Sequence, residues 1–421
     1  VVADTDKLSS DAGTNDWLRP LGATLALQTM SSYLYHTVPT LAPIIIASAG
    51  SGQSFVGWLA AINTLGSIAF MLAGTPLIRR FGAIRSLQAG IVVGGLGLVL
   101  LEVPSAWAIV CGSLLMGVGY GPSSPAASDI LQRYAPARHR VLIFSIRQAG
   151  VPLSGVIAGL LLPYLYTLGG WHAVVVVSLG FIAATVAVVQ PLRQRVDATR
   201  SPDEPIGLAR LLSPSNLMVP LRAVGDAPGL RQIALAGACL AFGHGCWVAY
   251  FVTYATEVIG LSLIQAGGAF AIMQGTGIVG RLSLGWIADR IGSGLTVLRG
   301  AAFASAAISV LLVLAGPTLS YGGLCLIAAL AGFAVSSWNG VQIAVVAGRV
   351  PRDSITASTS GATILVFLGF VIGPATFALL LWLTESFAAG FLATAAATVL
   401  AWPLLLGLPA AEPVAIKSSN T

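Results

Sequence analysis

Charge is scarce in this chain. Only 9% of its 421 residues are Asp, Glu, Lys or Arg, whereas an ordinary soluble domain carries about 25%. Lysine is scarcer still, with Lys7 and Lys417 the only two. That absence excludes a phosphate-binding loop, which needs Gly-Lys-Ser/Thr, and with it any ATP-driven activity of this chain alone. No His-Glu-x-x-His run occurs, nor any reactive cluster of the kind a membrane enzyme requires, so the chain reads as a non-enzyme that uses no cofactor and no metal. The four cysteines, Cys111, Cys239, Cys246 and Cys325, sit inside apolar runs. They form neither a disulfide framework nor a Cys-x-x-Cys metal pattern, and read as inert small hydrophobes. The first 17 residues lack the basic start of a cleavable signal, holding Asp4, Asp6, Asp11 and Asp16 against Lys7. The first apolar segment is therefore expected to do its own targeting.

What the chain has in abundance is apolar length: 56% of residues are hydrophobic and the mean hydropathy is +0.88. A helix needs about 20 apolar residues to cross some 30 Å of hydrocarbon. Runs of that kind, bounded by charge, Gly or Pro, predict an all-α membrane protein of twelve spans in two six-helix repeats. The first six are Leu21 to Ala47, Ser54 to Ile78, Leu87 to Val103, Ala106 to Leu131, Val141 to Tyr166 and Ala173 to Leu192. The second six are Ile233 to Val258, Leu263 to Ile287, Leu295 to Leu314, Tyr321 to Val346, Ile355 to Leu383 and Phe387 to Leu408.

The net charge of +6 and pI near 9.4 raise nucleic acid as a partner, but the positions of the charges decide against it. With both termini on one side, all of the 21 Lys and Arg except Arg147 and Arg281 fall on that side, at helix ends and in connections. Basic residues gather in cytoplasmic loops, so the termini are expected to be cytoplasmic and the lipid bilayer is the expected environment. Two lysines among so many arginines suggest a GC-rich bacterial source and hence the inner (plasma) membrane. The one long connection, rich in Pro, Arg and Asp, divides the chain into a half at 1–192, a cytoplasmic linker at 193–230 and a half at 231–421. Gly82 after Arg79-Arg80-Phe81 corresponds to Gly292 after Asp289-Arg290-Ile291, and Pro136 before Arg138 corresponds to Pro351 before Arg352. Internal repeats of this kind underlie alternating-access transporters.

The run Gly285-Trp286-Ile287-Ala288-Asp289-Arg290-Ile291-Gly292 resembles the Gly-x-Leu-Ala-Asp-Arg-x-Gly motif of the major facilitator superfamily, at the place between spans 8 and 9 where that family repeats it. The first-half stretch Thr75-Pro76-Leu77-Ile78-Arg79-Arg80-Phe81-Gly82 keeps Arg and the last Gly but has Arg79 where the family has Asp. The resemblance implies the major facilitator fold, secondary transport by a protein expected to be a monomer, and a gate formed by Gly285, Asp289, Arg290 and Gly292. A carboxylate at a helix junction can hold a gate by pairing with Arg and with the positive N-terminal end of a neighbouring helix. The alternative is a solvated loop pair.

Arg147 lies seven residues beyond Arg140, about 10 Å into span 5, and Arg281 lies at similar depth in span 8. The family's fold implies that these spans meet between the halves. A buried arginine is costly and is a functional candidate by default, the alternative being snorkelling or a bond to a carbonyl. None of the fifteen acids lies near a span centre; Asp129, one turn before Arg133, comes closest. Two central cations without a central anion predict that the missing negative charge is a small anionic substrate. The Gly280-Arg281 step also resembles the span 8 arginine of monocarboxylate and oxalate-formate carriers, which binds the substrate carboxylate. Those carriers often place an aromatic hydroxyl on span 4, where Tyr120 falls.

His36 in span 1 and His244 in span 7 lie near span centres, and either could carry a coupling proton where no carboxylate can. Each could equally be a hydrogen-bonded structural histidine. Glycines on both sides of His244 leave room for a ligand, which favours it as a substrate contact as well. Gln148, Gln274, Asn339, Trp247, Trp338 and Tyr33 are candidates for a polar and aromatic lining, or alternatively for glue between helices. The run Gly150-Val151-Pro152-Leu153-Ser154-Gly155 with Gly159 loosely resembles the span 5 glycine-proline motif of drug antiporters, although such spacing also serves close packing. The reading is proton-coupled transport of a small organic anion, a monocarboxylate, with proton-driven drug or metabolite export as the alternative.

Overall fold

Lipid offers a backbone no hydrogen-bond partners, so apolar runs satisfy theirs internally as helices. The computed structural model describes residues 17–136, 139–207, 213, 215–226, 228–351 and 354–408, and no strand occurs among them. Asp4, Asp6, Lys7, Asp11, Asp16, Arg138, Arg210, Arg352, Asp353, Glu412 and Lys417, which entered the charge reading, lie outside the described residues, as do both ends of the chain.

The helices are α1 (Leu18–Thr40), α2 (Ala42–Ala49), α3 (Phe55–Ala73), α4 (Thr75–Phe81), α5 (Ala83–Leu101), α6 (Ala106–Tyr120), α7 (Ser123–Tyr134), α8 (Arg140–Gln148) and α9 (Gly150–Val196). There follow α10 (Ser215–Asp226), α11 (Leu230–Glu257), α12 (Leu263–Ile291), α13 (Gly294–Ala315), α14 (Tyr321–Val335), α15 (Asn339–Ala347), α16 (Ile355–Thr384), α17 (Phe387–Val399) and α18 (Ala401–Leu404). Several apolar runs are broken where the backbone cannot continue a helix. Gly121-Pro122 separates α6 from α7, Gly74 with Pro76 separates α3 from α4, and α9 is kinked at Gly169-Gly170, where the backbone leaves the helical region and Gly170 has φ 60°.

Among the described residues, nine helical stretches are long and apolar enough to cross a membrane. The difference from the twelve expected has identifiable causes. One stretch, Leu142–Thr199, is 58 residues long and joins two helices across the kink at Gly169-Gly170. The break at Gly121-Pro122 leaves α6 and α7 short, at 15 and 12 residues. In α1 the apolar run is diluted by Thr24, Gln28, Ser31, Ser32 and His36, all of them buried against protein. Polar groups that face inward from a membrane helix mark a functional face more often than a lipid face. Elsewhere the outer surface exposes Trp107, Val188, Phe303, Leu314 and Trp382, the apolar belt that hydrocarbon requires.

Helices α1–α7 and α9 share one apolar core, around Leu27, Leu34, Ile91 and Leu162, and α8 packs through Ile143 in a smaller cluster with Leu21, Leu131 and Ala135. Helices α11–α18 build two more, around Phe270, Phe377 and Phe391 and around Leu240, Leu298 and Trp338. The two groups meet chiefly where α9 packs along α12 and α3 along α16. At the first contact the backbones touch: an ideal Cβ on Gly159 would lie 2.6 Å from the carbonyl oxygen of Gly267. Gly159 therefore has a packing role, one of the two uses open to it from sequence.

The groups are also tied at the end of the bundle remote from most arginines. Gln53 Nε2 donates to Glu257 Oε2 at 3.1 Å, and the Gly57 N–H donates to Tyr250 Oη at 3.1 Å. At the Arg-rich end a carboxylate does work that its sequence position did not reveal. Asp197, just past α9, is 2% exposed. It accepts from the N–H groups of Ile84 at 2.9 Å and Arg85 at 3.1 Å, so it caps α5.

Candidate functional site

The two membrane arginines donate to backbone carbonyls at or beside the helix breaks. Arg147, near the end of α8, is 3% exposed. Its Nη2 donates to Gln28 Oε1 on α1 and to the carbonyl of Ser123 at the start of α7. Gln28 Nε2 donates to Ser32 Oγ at 3.0 Å, and Ser123 Oγ donates to Ser31 Oγ at 3.0 Å, so α1, α7 and α8 share one polar network. Arg147 Nε is buried without a partner. Arg281, partly buried on α12, donates from Nε to the carbonyl of Ser336 at 3.3 Å, at the break between α14 and α15. From Nη1 it donates to the carbonyl of Gln148 at 3.0 Å, at the break between α8 and α9. Among the described residues neither arginine has a carboxylate partner; the two ion pairs there are Arg79–Glu204 and Arg133–Asp129. Two cations are thus held by neutral oxygens, which orient a guanidinium without neutralising it.

A cavity of about 100 Å³ lies between the two groups of helices. Its walls include Tyr35, His36, Asn63 and Tyr120 from the first group and His244 and Phe370 from the second. His36 is held on both ring nitrogens. Its Nδ1 is 3.1 Å from Ser154 Oγ, and its Nε2 is 3.5 Å from Gln274 Nε2 on α12. Since the amide nitrogen can only donate, Nε2 accepts and Nδ1–H donates, the arrangement of a neutral ring. His244 packs edge-on to Phe370 at 5.2 Å and has no hydrogen-bond partner among the described residues. Tyr120 lies against Tyr35 at 5.2 Å, and the Tyr35 hydroxyl is 2.9 Å from Thr64 Oγ1. A larger hollow of about 310 Å³ opens at the Arg-rich end beside Arg79, Asp129, Arg133 and Asp197. Those charges are already engaged with one another, with Glu204 or with backbone, so the central cavity is the better candidate.

Of the residues singled out from sequence, His36, His244 and Tyr120 are brought together on the cavity wall, with Gln274 behind His36. Arg147, Arg281 and Gln148 sit at the helix breaks described above, linked to one another through the Gln148 carbonyl. Trp247 is elsewhere. It is fully buried in the core of α11, α13 and α17, donating from Nε1 to Ser309 Oγ at 2.9 Å and packing against Phe251 and Phe391. Tyr33 likewise turns into the first core, its hydroxyl 3.0 Å from Ser178 Oγ. Trp338 is buried in the third core, and Asn339 is partly buried at the start of α15, so neither lines the cavity. At the motif, Asp289 and Arg290 are exposed, with the Arg290 guanidinium 5.4 Å from the centre of the Trp286 ring. Gly292 ends α12 in the left-handed region and Gly285 is partly buried. Asn63, Tyr35, Thr64 and Phe370 line the cavity without having been marked from sequence.

Comparison with known proteins places this architecture. The 4-hydroxybenzoate transporter PcaK of Pseudomonas aeruginosa is 24% identical over 279 residues, covering 59% of this chain and 61% of that protein. A gallate transporter of Pseudomonas putida is 24% identical over 274 residues, again 59% of this chain and 61% of the relative. The chain thus spans about three fifths of the length of these relatives. Among solved structures, a bacterial homolog to the human lysosomal transporter Spinster, in an inward-facing and unoccupied conformation, superimposes with a TM-score of 0.71. That match has 16% identity and covers 94% of this chain and 97% of the other, so the likeness is one of fold. The sequence profile of the Major Facilitator Superfamily matches residues 21–374, and the chain belongs to that family.

Proposed function

We propose that this protein is a secondary transporter of a small organic anion, a monocarboxylate, moved by alternating access and coupled to protons. One observation carries the reading: Arg147 and Arg281 flank the junction of the two helix groups with neutral partners only, beside a central cavity whose wall holds no Asp or Glu and neither arginine itself. A carboxylate ligand supplies the charge that these guanidinium groups lack, in a geometry that suits their planar donor forks. Tyr120 orients that ligand, and His244, which has no hydrogen bond to give up, carries the coupling proton. Relatives that transport 4-hydroxybenzoate and gallate support an aromatic acid. Cavity size favours a small substrate over a drug, since pockets for drug-sized ligands measure about 300–1,000 Å³ and this cavity holds about 100 Å³. The proposal includes a cell inner membrane location, cytoplasmic termini, two six-helix halves joined by the 193–230 linker, and function as a monomer.

Uptake of labelled benzoate and lactate into proteoliposomes, with and without an imposed pH gradient, tests the reading. Accumulation of at least one of them that collapses with the gradient is the expected result. Accumulation of neither, or gradient-driven extrusion of a hydrophobic cation, overturns it.

A further inference from the structure

We infer that α10, in the connection between the two helix groups, lies in the headgroup layer of the bilayer and that its outer face takes an anionic phospholipid. The inference goes beyond the transport reading and holds whatever the cargo is. It begins with the helix on which α10 rests. Successive residues of a helix turn by about 100°, so positions four, seven, eleven and eighteen apart share a face. Along α16, Leu368, Ile372 and Leu379 form such a stripe, and all three are exposed. Phe367, Phe370 and Pro374, which project from the far side of the same helix, line the central cavity. The exposed stripe is therefore the side of α16 turned to lipid.

Gly361 belongs to the same stripe, seven residues before Leu368, and yet it is buried. What covers it is α10. An ideal Cβ on Gly361 would fall 2.1 Å from the carbonyl oxygen of Pro220 and 2.6 Å from Val224 Cγ2, so the two backbones touch only because residue 361 has no side chain. Val224 is buried there, in the core it shares with Leu240 and Leu298. The depth of the contact follows from the length of α16. Its membrane-crossing stretch, Ala357–Thr384, has 28 residues, or about 42 Å, against some 30 Å of hydrocarbon. Gly361 lies about 6 Å inside the end of that stretch, which puts it where hydrocarbon meets headgroups. At its other end α10 stops at Asp226 and the membrane-crossing α11 begins at Leu230, so the chain has no length in which to leave the membrane surface between them.

With Pro220 and Val224 against α16, the same 100° step turns Met218, Val219 and Arg222 away from it, and all three are exposed. Two apolar side chains beside one cation suit a helix lying in the interface, with the apolar groups on the acyl chains and the guanidinium among the phosphates. Charge selects the headgroup. Over residues 213–231 the sequence sets Arg222 and Arg231 against Asp226, and both arginines are exposed. A zwitterionic headgroup brings its own cation, whereas an anionic one leaves its phosphate charge for these arginines.

The test is a bimane fluorophore on Val219→Cys, in the full chain with its four native cysteines replaced by alanine and reconstituted into phosphatidylcholine vesicles. Lipids with a doxyl quencher near the headgroup or near the chain end report its depth. The label at 219 is expected to be quenched mainly by the first, one on Ile372→Cys mainly by the second, and one on Asp203→Cys, exposed earlier in the connection, by neither. Doxyl-labelled phosphatidylglycerol should associate with position 219 about fivefold better than its phosphatidylcholine counterpart, the worth of one arginine near a membrane surface. Arg222→Gln should remove that preference and leave the depth unchanged. Met218→Cys carries the label if Val219→Cys does not fold. A label quenched by aqueous iodide and not by lipid overturns the inference, because α10 would then lie in water. Shielding from iodide and lipid alike overturns it too, since protein would cover the face. Equal association of the two lipids in the chain with Arg222 intact, or a preference that survives Arg222→Gln, overturns the assignment of an anionic headgroup.

Discussion

Arg281 donates from Nη1 to the backbone carbonyl of Gln148 at 3.0 Å, so an arginine of one helix group is anchored on the residue that follows Arg147 in the other. A ligand carboxylate bound between them would be shared by two guanidinium groups already oriented by neutral oxygens. Removing either charge should then cost about 2 to 5 kcal/mol of affinity, roughly a thirty- to several-thousand-fold change. Arg281→Lys should keep weak binding and lose most selectivity, since an ammonium offers a point charge instead of a planar fork. Calorimetry on Arg147→Gln, Arg281→Gln and the double variant checks this, because charges that contact one ligand give non-additive losses. Small, strictly additive effects would mean that both arginines serve the helix breaks alone.

The two cavity histidines predict different phenotypes. His36 is engaged by Ser154 and Gln274, whereas His244 contacts Phe370 and the cavity. A group that changes protonation during transport must be free to lose or gain a hydrogen bond, which His244 is. In His244→Gln, substrate exchange should persist while accumulation driven by a pH gradient is lost. In His36→Gln, the packing between α1, α9 and α12 should suffer first, and a lower thermal midpoint in detergent should accompany any transport defect. Full gradient-driven accumulation by the His244→Gln variant would remove it from the coupling role.

Much of this arrangement was legible in the sequence because its signals are local or periodic. Apolar runs predict membrane helices from composition, and Arg147 and Arg281 stand out because the twelve-span reading puts every other basic residue at a helix end or in a connection. The position of Trp247 was not legible. It lies in an apolar stretch of α11 that is buried on almost every face, so spacing alone could not tell a cavity wall from the core beside Ser309. Asn63 carried a usable signal, as the one amide in the apolar run of α3, but that its oxygen is buried without a partner is apparent only once the α3–α6 crossing is known. Asp197 falls in the 193–230 linker of the sequence reading, and its capping role was not legible because the N–H groups of Ile84 and Arg85 lie 113 and 112 residues away in the chain.

Asp289 engages no cation in the described structure, while Gln53–Glu257 and Gly57–Tyr250 join the helix groups at the opposite end. A gate carboxylate acts in the state where its own end is closed, so its loss should disfavour that state. A charge at a helix terminus contributes about 0.3–1 kcal/mol, so Asp289→Asn should shift the balance of conformations by about two- to fivefold. Substrate binding should survive. Labelling rates of single cysteines introduced at each end report the populations, and identical rates in wild type and variant would rule out a gating role.

Asp197 and Gly82 make the last prediction separable into its parts. Gly82 has φ 99°, and an ideal Cβ there would lie 2.3 Å from Asp197 Cγ. Gly82→Ala therefore meets two penalties, a backbone conformation unsuited to L-residues and a collision with the capping carboxylate. Asp197→Ala meets another, since the N–H groups of Ile84 and Arg85 lose their acceptor. Loss of such a cap costs about 0.5–2 kcal/mol, and the backbone conformation of Gly82, with ψ 156°, costs a non-glycine residue about 1–3 kcal/mol. If the collision is real, it disappears when Asp197 is shortened, so the double variant should be less damaged than the sum of the two single variants. Asp197→Asn keeps one acceptor oxygen and should fall between wild type and Asp197→Ala. Thermal unfolding in detergent, followed by tryptophan fluorescence, provides all four values. A double variant as unstable as the sum of the singles would show that the Asp197 carboxylate moves aside freely, and that it caps α5 without being held against residue 82.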